Sequence, residues 1–317
     1  MDHVVKQAFE SVLTLFMLGL AGFYLVRRGW VNDAVIDFLP KLVVGLTLPL
    51  YLFSTGLKVL GKDDLGSLVD GTWVATLSMG ATFLVSLFLV RLLKVRQGRK
   101  GLFTVGFSFS NTMFLGLPIN VALFGDASLP YVMSYFVANS LWFWIAGCYL
   151  LSLDAPNPRP SRILSLDTAK KIFNPPLAGF LVAVFFIATG IKLPKFLDDS
   201  TSLLASTTVP LAIMYIGMGL GSLKLKSIRI DRDLLGVMSG RFFFCPLLTF
   251  LICLPFSVPA IMAQVFIIQA SLPVLANSSI MAGYYRSDTS FAVLSVSLTT
   301  TLALITVPFF RVLVSFV

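Results

Sequence analysis

The sequence has little charge and few of the residues that build catalytic or metal centres. Only 12% of its 317 residues are charged, whereas a soluble domain carries about 25%. It has one histidine (His3) and one glutamate (Glu10), and a lone terminal histidine argues against a histidine metal site or a catalytic dyad. The three cysteines, at positions 148, 245 and 253, lie in apolar segments without metal-ligand spacing. We expect them to be small buried hydrophobes.

Apolar residues dominate instead. They make up 57% of the chain, and the mean hydropathy is +0.90. This composition predicts an all-α polytopic membrane protein. The net charge of +9 could suggest nucleic-acid binding, but the basic residues lie in short loops between apolar runs, which is a signal of membrane topology. We therefore expect the lipid bilayer as a partner, and no nucleic acid.

Ten apolar segments are long enough to be read as membrane spans. Their approximate bounds are 4–26, 35–57, 70–93, 102–124, 128–151, 172–191, 201–223, 234–255, 258–285 and 290–315. The longest connection, 152–171, contains the proline-rich run Asp154–Pro160 and is predicted to be a linker between halves 1–151 and 172–317.

Lysine and arginine are distributed unevenly between the two sides. The loops after segments one, three, five, seven and nine hold seventeen, the opposite side holds six, and Arg241 remains inside segment eight. The positive-inside rule makes the rich side cytoplasmic. The chain is then a multi-pass protein of the inner or plasma membrane, with a cytoplasmic linker and with both termini on the periplasmic or extracellular side.

The two halves resemble each other. Thr47–Leu50 and Thr208–Leu211 share a Thr-x-Pro-Leu pattern at an offset of 161 residues, and Pro118 and Pro273 are 155 residues apart. Because five spans is an odd number, homologous halves must lie inverted in the membrane. The pattern therefore predicts ten transmembrane helices arranged as two inverted five-helix repeats.

Two polar stretches interrupt this apolar frame, Ser108–Asn120 in segment four and Gln269–Ser279 in segment nine. Asn111 lies eleven residues beyond Lys100, roughly 15 Å into a hydrocarbon core about 30 Å thick. Amides and prolines at that depth are tolerated where the backbone lines a protein-enclosed cavity. We expect helices 4 and 9 to be broken at their prolines and to form the substrate site.

The ends of broken helices suit charged ligands: N-terminal ends attract anions, and C-terminal ends offer carbonyls to a cation or a donor. Amides could orient a carboxylate or only satisfy the freed backbone, and each hydroxyl could simply bond its own helix. Segment ten contributes the hydroxyl-rich run 295–301. The candidate substrate-binding residues are Ser110, Asn111, Thr112, Pro118, Asn139, Arg241, Gln269, Ser271, Pro273, Asn277, Ser278 and Thr300.

Two intramembrane charges have open interpretations. Arg241, about eight residues into segment eight, is either an electropositive partner for an anionic substrate or an arginine that snorkels to the cytoplasmic interface. Glu10 either titrates in proton coupling or is solvated at the outer interface. No metal or cofactor is expected, and proton or sodium coupling stays possible.

Several motifs together resemble the auxin efflux carrier family in its bacterial form. The resemblance covers essentially the whole chain, and the short linker favours a bacterial-type member. The segments that carry it are Ser110–Pro118, Leu123–Asp126, Asn174–Leu177, Gly190–Pro194, Thr208–Leu211 and Leu298–Pro308. Tyr284–Asp288 departs from the glycine-containing turn of many members.

The resemblance implies a fold shared with bile acid–sodium symporters, in which the broken helices 4 and 9 cross at mid-membrane. Helices 1, 2, 6 and 7 would form a scaffold, helices 3–5 and 8–10 a mobile transport domain, and helices 1, 2 and 7 a homodimer interface. It also implies elevator-type alternating access. Bacterial members are commonly assigned small organic acids such as malonate or malate, and plant members move auxin.

We therefore expect a transporter of small organic anions and not an enzyme. The alternatives are an auxin-like monocarboxylate carrier and a sensor or receptor that has kept the fold without transport. A channel would more often show charge rings, and an enzyme would need a nucleophile with its base or a metal cluster.

Overall fold

The computed structural model describes residues 2–61, 64–156, 172–222 and 230–315. All regular elements in these ranges are helical, and none is a strand. The predicted linker lies largely outside the described residues. The helices, numbered in chain order, are α1 (Asp2–Arg27), α2 (Asp33–Leu42), α3 (Leu48–Val59), α4 (Asp64–Leu92), α5 (Lys100–Ser108), α6 (Leu117–Phe124), α7 (Leu129–Trp142), α8 (Cys148–Leu153), α9 (Pro175–Thr189), α10 (Lys195–Ser206), α11 (Thr208–Ser222), α12 (Arg232–Ser239), α13 (Cys245–Cys253), α14 (Ala260–Ser271), α15 (Asn277–Tyr285) and α16 (Thr289–Val314).

Five helical stretches of the described chain are long and apolar enough to cross a membrane, and a bent sixth, Thr289–Val314, joins them if it is counted as one span. The five are Ala34–Val59, Leu68–Leu92, Asp126–Leu153, Lys195–Gly219 and Arg232–Phe256. The shorter apolar helices are Phe16–Arg27, Thr112–Phe124, Pro175–Thr189 and Ala260–Ser271. This all-helical, apolar architecture is consistent with a polytopic membrane protein.

Three prolines follow the same local pattern. Each comes two residues after a wide, π-helical turn: Pro49 after Val43–Thr47, Pro118 after Thr112–Gly116, and Pro246 after Gly240–Phe244. A proline ring clashes with the carbonyl four residues earlier, and in all three cases that carbonyl belongs to the wide turn. The turn therefore lets the helix continue past the proline.

Pro308 has no such turn before it, and its helix bends instead. The two arms of α16, Thr289–Ala303 and Ile305–Val314, meet at 56°. The bend falls at the position four residues before the proline, where the ring and the carbonyl would collide.

The described chain separates into two compact units. Unit 1 comprises residues 1–70, 117–130 and 172–223. In it α1 and α11 pack with their backbones almost in contact: a Cβ added to Gly217 would lie 1.9 Å from the Gly19 carbonyl oxygen, and one added to Gly22 would lie 2.1 Å from that of Met214. Small residues allow this close approach, which is typical of helix pairs in membranes.

Unit 2 comprises residues 71–116, 131–171 and 224–317. Its centre is α5, in which every residue from Gly101 to Ser108 is buried. The Phe103 and Phe107 rings stack at 6.0 Å, and Phe107 lies 5.9 Å from Phe244. A helix that is buried on all sides needs no polar face, and after Lys100 only Thr104 and Ser108 interrupt the apolar residues of α5.

One end of unit 2 is held together by Arg99, whose Nη1 lies 2.7 Å from a carboxylate oxygen of Asp231 and whose Nε lies 2.6 Å from one of Asp288. Asp231 also caps α12 by accepting from the Leu234 N–H, and Asp288 caps α16 by accepting from that of Phe291. Arg99 therefore joins the N-terminal ends of two helices to the loop that precedes α5.

Candidate functional site

The first interruption lies between α5 and the π-helical turn Thr112–Gly116. Phe109, Ser110 and Asn111 are not helical. The expectation that helix 4 breaks at its proline is wrong, because the interruption ends seven residues before Pro118, which is the second residue of α6. The wide turn before Pro118 accommodates the proline ring, so the helix continues through this residue.

The second interruption lies between α14 and α15. It spans residues 272–276 and contains Pro273, so here the break and the proline coincide as expected. The Leu272 backbone is extended, with ψ at 159°, which is the conformation that a following proline favours.

The two interruptions pair with each other inside unit 2. The Asn111 N–H donates to the Pro273 carbonyl at 2.9 Å, and the Leu275 N–H donates to the Phe109 carbonyl at 3.1 Å. Ser110 and Val274 thereby form an isolated antiparallel bridge. Each break thus satisfies backbone groups that the other leaves free, which buried N–H and C=O groups require.

Asn139 holds one side of this bridge. Its Oδ1 accepts from the Ser110 N–H at 3.2 Å, and its Nδ2 donates to the Ser110 carbonyl at 3.1 Å. The amide reproduces the hydrogen bonds of a neighbouring strand. Both polar atoms of the Asn139 amide are therefore hydrogen-bonded to the backbone of the first break.

The other side is held by Thr299 of α16, whose Oγ1 accepts from the Val274 N–H at 3.1 Å. The sequence interpretation chose Thr300 from the hydroxyl-rich run, but Thr299 is the residue that touches the break, whereas Thr300 is only partly buried. A helix changes direction by about 100° per residue, so only knowledge of the neighbouring helices separates the two threonines.

Arg241 is fully buried, so the snorkelling interpretation is wrong. Its Nε donates to the Leu272 carbonyl at 2.9 Å, its Nη1 to the Phe107 carbonyl at 3.0 Å, and its Nη2 to the Ala270 carbonyl. These carbonyls belong to the C-terminal ends of α5 and α14, where helices leave acceptors unpaired and carry partial negative charge. A planar guanidinium fork can serve them together, as a lysine could not.

Several buried polar atoms beside the breaks have no partner. Both amide atoms of Gln269 lack a hydrogen bond, as does the hydroxyl of Ser108. Gln269 lies against Gly116, where an added Cβ would be 2.2 Å from its Oε1. An unpaired buried polar group costs about 1–3 kcal/mol. Such groups mark a place where a ligand or water would be favoured.

The remaining candidates make no side-chain hydrogen bond to the other break. Ser271 and Ser278 donate to the carbonyls of Ile268 and Leu275 in their own chain segment. Asn111 and Thr112 are buried, whereas Asn277, the first residue of α15, is exposed. Pro118 belongs to unit 1, and the other eleven candidates belong to unit 2.

An all-helical apolar chain with two paired helix interruptions is typical of membrane transporters. A family model described as membrane transport protein matches residues 7–311 of this chain. The chain therefore belongs to this family, which is that of the auxin efflux carriers, and it is a multi-pass membrane protein.

Relatives in three organisms align over nearly the full length. An "uncharacterized transporter" of Methanothermobacter thermautotrophicus is 24% identical over 306 residues, or 96% of this chain and 97% of that protein. Another from Methanocaldococcus jannaschii is 24% identical over 308 residues, or 94% and 96%. A "putative malonate transporter" of Rhizobium meliloti is 23% identical over 303 residues, or 93% and 92%.

Proposed function

We propose that this protein is a secondary transporter of small organic anions, with malonate- and malate-like carboxylates as the substrate class. The observation that carries the proposal is the pair of interrupted helices, beside which Gln269 and Ser108 keep buried, unpaired polar atoms. The name of the Rhizobium relative supports a short dicarboxylate as the first substrate to test.

The charge inside unit 2 favours an anion. No described acidic residue forms a salt bridge with Arg241, whose positive charge is met only by carbonyls and a thiol. The charge is fully buried, and its field extends further in a medium of low dielectric constant than in water. Arg241 would act on the substrate through this field and through the position of the breaks, without direct contact.

The amides would give specificity. Asn111, at 6% exposure, and Gln269 each offer two N–H donors and one carbonyl acceptor. The dipole at the N-terminal end of α15, beside Asn277, would add a preference for an anion. Carboxylate oxygens would then satisfy donors that are unpaired in the empty site.

The mechanism that we propose is elevator-type alternating access on a fold of two inverted five-helix repeats. The division of the chain supports it. Unit 1 contains predicted segments one, two, six and seven, which are the proposed scaffold, and unit 2 contains segments three, five, eight, nine and ten with the start of segment four. Outward-facing termini and a homodimer through helices 1, 2 and 7 belong to the same proposal.

Uptake into proteoliposomes tests this function. Labelled malonate and malate are supplied with an imposed pH gradient, sodium gradient or membrane potential. We expect saturable uptake that other small carboxylates inhibit, and the effective gradient identifies the coupling. Absence of uptake from folded protein would contradict the dicarboxylate proposal, and indole-acetate would then test the auxin-like alternative. Binding without flux would indicate a sensor.

A point substitution tests the site. Asn111→Ala is expected to abolish saturable uptake without changing expression or thermal unfolding, because no described residue depends on the Asn111 side chain for a hydrogen bond. Asn32→Ser is the control, since serine keeps the cap that Asn32 places on α2 in unit 1. Normal kinetics in Asn111→Ala would contradict the site assignment.

A further inference from the structure

A cavity opens where α4 and α8 end and α5 begins, away from the paired breaks. It measures about 310 Å³, and its lining includes Arg91, Lys100 and Thr104. A second cavity of about 330 Å³ adjoins it and adds Lys94. Both lie at the shared end of two apolar stretches, Leu68–Leu92 and Asp126–Leu153. In a membrane this is the level of the lipid headgroups.

The polar part of the cavity carries excess positive charge. Arg91, Lys94 and Lys100 are exposed, and none forms a salt bridge with a described residue. Asp154 is the only acidic residue in the lining, and its carboxylate already accepts from the Leu102 N–H of α5 at 2.8 Å. Asp154 offsets part of the charge of Lys100 without a salt bridge, and the cavity keeps a net positive charge.

Lys94 has an unusual backbone. Its φ is 52°, in the left-handed region, and it ends α4 where glycine is the common residue. The Val95 N–H donates to the Val90 carbonyl at 3.1 Å, which completes the turn. Glycine would form the same turn without strain, so Lys94 places a cationic side chain here at a conformational cost.

The other part of the cavity is apolar, and α4 beside it exposes further apolar side chains. Leu87, Val90 and Leu150 line it, and Leu84, Phe88 and Leu92 of α4 expose 67%, 62% and 61% of their surfaces. The buried hydroxyl of Thr104, which also lines the cavity, has no hydrogen-bond partner. Cations and an unused hydroxyl next to apolar lining residues and the exposed apolar side chains of α4 match a phospholipid in chemistry.

We propose that this cavity binds an anionic phospholipid. Arg91, Lys94 and Lys100 hold the phosphate, and the acyl chains lie along α4. Basic pockets between membrane helices bind anionic headgroups in this way. Because the cavity lies against α5, one of the two interrupted helices, the lipid would contact an element of the proposed transport site from its far end.

Native mass spectrometry of the detergent-purified full-length protein tests the proposal, with dioleoyl phosphatidylglycerol and dioleoyl phosphatidylcholine as probes. The triple variant R91Q/K94Q/K100Q is compared with R27Q/R28Q/K41Q, which removes the same charge from exposed residues of unit 1. We expect the first variant to bind the first phosphatidylglycerol at least about tenfold more weakly, and the control to bind it as the wild type does. Equal binding by the two variants, or no preference over phosphatidylcholine, would overturn the proposal.

Two further measurements test the role of Lys94 and the kind of phosphate that the cavity binds. Lys94→Gly is expected to keep or raise the unfolding temperature while it weakens phosphatidylglycerol binding, because glycine relieves the left-handed strain and removes the cation. Unchanged binding would remove Lys94 from the site. Soluble glycerol 3-phosphate is expected not to displace the lipid, and displacement would assign the cavity to a free phosphate ester instead.

Discussion

The guanidinium Nε of Arg241 donates to the main-chain carbonyl of Leu272 at 2.9 Å. Leu272 is the residue at which α14 gives way to the second break, so the cation lies at the negative end of that half-helix. The same side chain reaches the Phe107 carbonyl near the end of α5. One arginine therefore fixes both interrupted helices at the ends that precede their paired bridge.

Arg241→Met is expected to destabilise the protein by about 3 kcal/mol or more, because three buried carbonyls lose their donor. The measurement is the apparent unfolding temperature of the detergent-solubilised protein. Arg241→Lys is expected to fall between the wild type and Arg241→Met, since an ammonium keeps the charge but not the planar fork.

Arg232→Gln provides a matched control for this loss. Arg232 also donates to a main-chain carbonyl, that of Leu93, at 2.9 Å, but the interaction is exposed. Water can replace that donor, so the expected cost is below about 1 kcal/mol. Equal unfolding temperatures for Arg241→Met and Arg232→Gln would show that the buried cap does not hold the breaks.

Gln269→Leu is expected to separate stability from transport. Both amide atoms of Gln269 are buried without partners, so an apolar side chain of similar size removes a desolvation penalty of about 1–3 kcal/mol. The unfolding temperature should stay the same or rise, while saturable malonate uptake should be lost. Thermal unfolding and proteoliposome uptake on the same preparation provide the two measurements.

Gln264→Leu controls for the gain in hydrophobicity. It makes the same substitution in the same helix, α14, at a side chain that is only partly buried. Uptake should survive it. A strong loss of stability in Gln269→Leu would mean that the amide holds the fold through ordered water, and it would contradict a binding role.

Gly217→Ala should break the closest helix contact of unit 1. The new methyl group would lie 1.9 Å from the Gly19 carbonyl oxygen, so the backbones of α1 and α11 must separate and lose packing, at a cost of about 1–3 kcal/mol or more. Gly219→Ala is the control in the same helix, because nothing lies within 4 Å of its added Cβ. Alanine there favours the helix by about 0.5–1 kcal/mol. Similar unfolding temperatures for the two variants would contradict the close packing.

The helical, apolar character of the chain and the existence of two polar interruptions could be predicted from residue type alone. Depth in an apolar run and the presence of amides suffice for that. The exact place of the first break could not be predicted, because the effect of Pro118 depends on the wide turn before it. Pro273 follows no such turn, and its break lies where the sequence predicts it.

The roles of individual polar residues depend on tertiary neighbours. The depth of Arg241 in its segment fits either a substrate partner or a side chain that snorkels to the interface. Only its hydrogen bonds to the carbonyls of residues 107, 270 and 272 exclude snorkelling. Asn139 was a good candidate from depth, but nothing in the sequence shows that its amide pairs with Ser110. Likewise, the choice between Thr299 and Thr300 depends on helix rotation, which hydroxyl spacing does not reveal.

The Arg99 cluster predicts how stability depends on acid. Burial opposes ionisation of Asp231, but the hydrogen bond from the Leu234 N–H and the Arg99 guanidinium outweigh it and hold the pKa of Asp231 below its ordinary value. Burial also opposes the charge of Arg99, but hydrogen bonds to Asp288 and Asp231 raise its pKa on balance. The Asp231 carboxylate thus binds a proton less readily in the folded state than in the unfolded state. Its stabilising contribution is complete above the unfolded pKa of about 4 and is lost as the pH falls through the lower, folded pKa.

Asp231→Asn isolates that contribution, because asparagine caps α12 as well as aspartate does but cannot form an ion pair with Arg99. We expect a lower unfolding temperature than the wild type at pH 7, and a smaller further decrease on acidification below about pH 4. Unfolding scans of both proteins across that range measure the difference. Asp199→Asn, at an exposed position on α10, should follow the wild-type profile. If Asp231→Asn and the wild type lose stability in parallel as the pH falls, the acid sensitivity arises elsewhere, and the link between α5, α12 and α16 through Arg99 contributes little.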